Sequence, residues 1–166
     1  MSRRLPTMVL ALGLAGLIPF VAFGYGAVSG ADDDRAARFA SGLIAYGAVI
    51  LAFLGGVHWG FVIDEPEPDG VAIIAQRERY RLVFGVSPSL VGWAALLVLL
   101  MLGWPKLAIA ILLGGFVATT AIEAALTRGN LMPGGYMLLR WVLSAVVVLV
   151  LGVVLALLVL GTRLSF

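Results

Sequence analysis

Five long apolar runs, joined by short polar connections, constrain this chain more than any other feature of its sequence. They fall at residues 5–28, 39–63, 82–103, 107–127 and 137–161. At a helical rise of ~1.5 Å per residue, each is long enough for the ~30 Å hydrocarbon layer of a bilayer. The connections are too short to hold a water-soluble domain. With 62% of its residues hydrophobic, against roughly 45–50% in soluble domains, the chain requires lipid to cover most of its surface. The expected fold is therefore all-α: a single membrane domain, 1–166, built as a bundle of five transmembrane helices. No internal repeat divides it, and an odd number of spans gives no two equal halves.

The breaks between spans follow from residue chemistry. Met1–Arg4 resembles the basic start of a signal peptide, but the apolar run behind it far exceeds the ~7–15 residues of such a segment, so it reads as the first span. Pro19 lies inside that span and should kink it, freeing a backbone carbonyl near Ala15. Asp32, Asp33 and Asp34 are candidate N-caps for the second span. The stretch Asp64–Gly70, DEPEPDG, cannot be helical and needs water. Val71–Arg81 reads equally well as a short interfacial helix or as a charged loop end. Pro88, between Ser87 and Ser89, falls near the expected start of the third span, and Trp104–Pro105–Lys106 makes a tight turn into the fourth.

Charge sets the expected orientation. One side of the bundle holds Arg3, Arg4, Arg77, Arg79, Arg81, Arg128 and Arg140; the other holds Arg35, Arg38, Lys106 and Arg163. Cytoplasmic connections carry the excess of basic residues, so the N-terminus is expected inside and the C-terminus outside, in a bacterial inner membrane. Arg77, Arg79 and Arg81 read as inside anchors, with lipid or partner contact as a second role. The net charge of +2 comes with no basic run or aromatic motif for nucleic acid. The absence of cysteine excludes thiolate metal sites and disulfides.

The second span holds the most distinctive stretch, Tyr46–Ile63. Ala48, Ala52, Gly56 and Gly60 recur every four residues and predict a smooth packing ridge, with Gly47 and Gly55 on another side of the same helix. His58, the sole histidine, and Trp59 lie within this stretch. Depth arguments bring the embedded polar groups of four spans to one layer near the inner face: His58 and Trp59, Ser87 and Ser89, Glu123, then Tyr136 and Arg140. Glu123 and Arg140 are the natural pair, because a lone charge in hydrocarbon costs ~2.5–3.5 kcal/mol or more. The simplest role for this layer is stapling helices together. Proton handling or a ligand site is the alternative, and a bis-histidine haem would need a partner subunit.

The segments Leu14–Phe20, Tyr46–Ala48 and Phe53–Gly60, the last containing Gly-Gly-Val-His-Trp-Gly, resemble a domain-of-unknown-function family of small multispanning membrane proteins, the transmembrane-protein-69-like proteins. Ser87–Pro88, Trp93, Pro133, Tyr136 and Arg140 agree with that resemblance. It implies an integral membrane protein and carries no established activity.

No nucleophile elbow, phosphate loop or metal-ligand pair is present, and no cofactor is required by the sequence. The leading expectation is a non-enzymatic accessory or assembly subunit of a larger respiratory or photosynthetic membrane complex, with lipids and other subunits as partners. The rivals are a small transporter, channel or proton-handling protein using His58, Glu123 and Arg140, and a quinone- or haem-binding membrane protein.

Overall fold

A computed structural model describes the backbone of residues 7–29, 32–63, 71–127 and 134–161, and the side chains of these residues except at 58–63, 71–82, 125–127 and 134–137. The described residues form six α-helices: α1 (Thr7–Ala15), α2 (Leu17–Ser29), α3 (Asp33–Ile63), α4 (Val71–Leu97), α5 (Pro105–Thr127) and α6 (Gly134–Leu160). The pair α1–α2 makes one span, and among the described residues five spans are long and apolar enough to cross a membrane. The chain is an all-α, multi-pass membrane protein.

Local chemistry explains where the helices begin and end. Asp32 caps α3: its Oδ1 accepts from the Arg35 N–H at 2.6 Å and its carbonyl accepts from Ala36. This starts the helix at Asp33, six residues before the apolar run. Segment Val71–Arg81 is continuous with the third span in α4 rather than a separate interfacial helix or a loop end. Pro88 consequently lies well inside α4, not near its start. Proline removes the bond that the Phe84 carbonyl would accept, and the Ser87 hydroxyl donates to that carbonyl at 3.1 Å. A wide helical turn, Val98–Leu102, closes α4. Gly103 caps it at φ 66°, in the left-handed region that glycine adopts without strain. Pro105 then opens α5 at the first helical position, where its missing N–H costs nothing.

The first span does not merely bend at Pro19. It divides at Gly16, whose N–H still donates to the Leu12 carbonyl at 3.1 Å. The Gly16 carbonyl accepts a bond from another helix, the Tyr46 hydroxyl of α3, at 2.9 Å.

Helix α3 is the hub, packing against α2, α4 and α5, while α6 closes the bundle against α2 and α5. Its buried stripe of Leu43, Ile44, Ala48 and Leu51 shares one apolar core with Phe20 of α2, Ile109, Leu112 and Phe116 of α5, and Leu151 of α6. Phe20 makes edge contacts with Tyr46 and Phe116, at centroid distances of 5.0 and 5.9 Å.

The α3–α4 seam corrects the expected ridge. Ala48 is buried, but Ala52 is only half-buried, and Gly56 is exposed with open space where a Cβ would be. The surroundings of Gly60 lie outside the described residues. Close approach instead uses Ala48 with Gly92, and Gly55 with Gly85. A Cβ on Gly92 would stand 2.8 Å from the Ala48 carbonyl oxygen, and one on Gly55 would strike the Gly85 carbonyl. Both pairs are seven residues apart on each helix and run in opposite directions. That is the repeat of two antiparallel helices at a shallow left-handed crossing.

Candidate functional site

The embedded acid and base meet. The Arg140 guanidinium, on α6, donates from Nε to Glu123 Oε2 at 2.8 Å and from Nη2 to Oε1 at 2.7 Å. Both residues are 7% exposed. This planar, two-pronged geometry is the strongest that arginine makes with a carboxylate. It leaves the pair with no net charge and ties α5 to α6 about a turn or two from the helix ends that face each other.

The other residues expected in this layer are placed differently. Ser87 and Ser89 donate to carbonyls of their own helix, those of Phe84 and Val86, at 3.1 and 2.6 Å. They therefore serve the proline-disturbed backbone of α4. The side chains of His58, Trp59 and Tyr136, and those of Arg77, Arg79 and Arg81, lie outside the described residues; the backbones of the first two belong to α3, that of Tyr136 to α6 and those of the arginines to α4.

Beside the ion pair, a partly open cleft of about 160 Å³ enters the bundle between the first span and α6. The α6 wall is one helical face, Arg140, Leu143, Ser144 and Val147. Gly13 and Gly16 line the opposite side, and Gly13 lies close against α6, where an added Cβ would stand 3.3 Å from the end of the Leu143 side chain. Phe20, Phe53 and Phe116 supply aromatic wall.

Ser144 lines this cleft one turn beyond Arg140. It is 5% exposed, and its Oγ is the one buried side-chain polar atom without a hydrogen-bond partner among the described residues. The contrast with other embedded hydroxyls is direct. Thr119 and Thr120 return their protons to Gly115 and Phe116 of their own helix at 2.7 and 2.8 Å. Serine in a helix normally does the same when nothing better is near.

Sequence reasoning about charges found Glu123 and Arg140 but passed over Ser144 and Tyr46. Both carried a signal. Ser144 is four residues after Arg140, hence on the same helical face. Tyr46 carries a hydroxyl in an apolar span, and Pro19 promised a disturbed backbone for such a donor to reach.

Comparison with known proteins places this arrangement in context. Residues 5–156 match the family model described as "Protein of unknown function (DUF3429)". The chain is similar to Transmembrane protein 69 of Xenopus tropicalis, with 41% identity over 92 residues, and to that of Mus musculus, with 40% identity over 92 residues. Each match covers 55% of this chain but only 33% and 34% of the respective relative, so the chain matches about a third of the length of these curated relatives. No solved structure matches it.

Proposed function

The chain belongs to the DUF3429 family, and we propose that it serves as a non-enzymatic accessory or assembly subunit of a larger complex in a bacterial inner membrane, with its N-terminus on the cytoplasmic side. The observation that carries this reading is the state of α1. None of its residues is buried by its own chain, and Met8 and Leu12 are 72% and 64% exposed. By contrast, α3 packs against three other helices and buries Leu43, Ile44 and Leu51 completely. Packing in lipid rests on close van der Waals fit between helices. A half-span that fits so little of its own bundle is available to a helix of another subunit. The Glu123–Arg140 pair supports the same reading, because a carboxylate held on both oxygens by a neighbouring guanidinium staples helices together.

The test is site-specific photo-crosslinking at Met8 and Leu12 in native membranes, with lipid-facing Leu149 of α6, which is 65% exposed, as the reference. One defined protein adduct at both α1 positions and none at Leu149 is the expected result. Lipid adducts alone at all three positions, together with a lone monodisperse chain in mild detergent, would overturn the proposal.

A further inference from the structure

The cleft beside the ion pair has the properties of a built binding site, independent of any subunit role. We propose that it takes the ring of a neutral, carbonyl-bearing lipophile of the quinone class, with Ser144 and Arg140 donating to a ring carbonyl.

Three observations converge on this chemistry. The first is size. A cleft of about 160 Å³ matches the ~150 Å³ cavities that accept a single benzene ring, and Phe20, Phe53 and Phe116 border it with aromatic surface. Aromatic walls favour a flat ring through offset or edge contact.

The second is donor supply. Ser144 lines the cleft and carries a nine-tenths buried hydroxyl that has no partner among the described residues. Leaving such a group unsatisfied in hydrocarbon is unfavourable, and a ligand acceptor removes that cost. Arg140 reaches the same cleft and has further N–H groups beyond the two that Glu123 engages.

The third is charge. Glu123 already neutralises Arg140. A carboxylate or phosphate ligand would add an uncompensated negative charge in a low-dielectric layer, whereas an uncharged carbonyl adds none. The site thus selects an acceptor without charge. Its partial opening, lined on the first span by Leu12 and Leu17, gives a hydrophobic tail an apolar way out of the bundle.

The experiment uses the full chain in nanodiscs and a trimethyl-decyl-1,4-benzoquinone probe, read by saturable quenching of tryptophan fluorescence. Because the chain has no cysteine, there is no thiol for the probe to alkylate. Decylbenzene, which keeps the ring and tail but has no carbonyl, and decanoate, which is anionic, serve as competitors. Saturable binding of about one quinone per chain is expected. Ser144→Ala should weaken it roughly fivefold, the worth of one hydrogen bond. The same substitution removes a buried unpartnered hydroxyl, so its unfolding midpoint should equal or exceed that of the parent chain. Decylbenzene should compete poorly and show no dependence on Ser144. Equal quinone affinity in the parent chain and Ser144→Ala would overturn the proposal. So would decylbenzene competing as well as the quinone binds, which marks a simple acyl groove, or stronger competition by decanoate, which marks an anion site.

Discussion

The α3–α4 seam and the cleft between the first span and α6 use glycine differently. At the seam, Gly55, Gly85 and Gly92 let two backbones approach until no space for a Cβ remains at Gly55 or Gly92. At the cleft, Gly13 and Gly16 line a ring-sized opening, and a Cβ on Gly13 would meet only the side-chain ends of Leu143 and Leu139, at 3.3 and 3.6 Å. The difference lies in what faces the glycine. Across the seam stands another small residue on a continuous helix. Across the cleft stand the larger residues of α6, and the helix carrying the glycines divides at Gly16. A small residue therefore does not specify close packing; a pair of small residues at matched register does. In lipid this distinction matters more than in water, because apolar side chains gain little by leaving the acyl chains and only complementary surfaces hold helices together.

Three substitutions sharpen that comparison. The largest effect is expected at the edge of the cleft: Arg140→Met leaves Glu123 without its guanidinium in a buried site and should cost about 3–5 kcal/mol. A detergent unfolding titration followed by helicity would show it, and a loss below about 1 kcal/mol would mean that the pair does not hold α5 to α6. Next comes Gly92→Val at the seam, where the added carbon meets the Ala48 backbone rather than a side chain that can turn away. Overpacking of this kind costs about 1–3 kcal/mol, and the same titration measures it. The smallest effect is expected at Gly56, which lies on the same helix as Gly55 but faces open space. Gly56→Ala should be neutral or stabilising by up to about 1 kcal/mol through helix propensity alone. If it destabilised as much as Gly92→Val, the assignment of the seam to Gly55 and Ala48 would fail.

Much of this molecule is readable without coordinates, and the parts that are not share a cause. The Glu123–Arg140 contact could be anticipated because each residue alone is intolerable in hydrocarbon and only one partner of opposite sign stood at a similar depth. Asp32 as a cap and Pro105 as the opening of α5 are equally local, each following from the side chain and its immediate neighbours. The four-residue ridge of Ala48, Ala52, Gly56 and Gly60 led elsewhere. Periodicity shows which residues share a face, but not which face a neighbouring helix chooses, and α4 settled between Ala48 and Gly55. Ser87 and Ser89 likewise matched Glu123 in depth while their hydroxyls turned to the backbone around Pro88.

Composition and residue order determined that this chain crosses a membrane five times, that Asp32 caps one helix and Pro105 opens another, and that its buried acid needs its buried base. These outcomes rest on solvation and on bonds between near neighbours, which any reader of the sequence can weigh. Tertiary structure alone decided that Tyr46 would reach the Gly16 carbonyl, that Gly55 rather than Gly56 would meet α4, and that the buried Ser144 hydroxyl would be left without a partner beside a ring-sized opening. Such outcomes depend on the rotation of each helix about its own axis, and that angle is set jointly by all the surfaces that touch it.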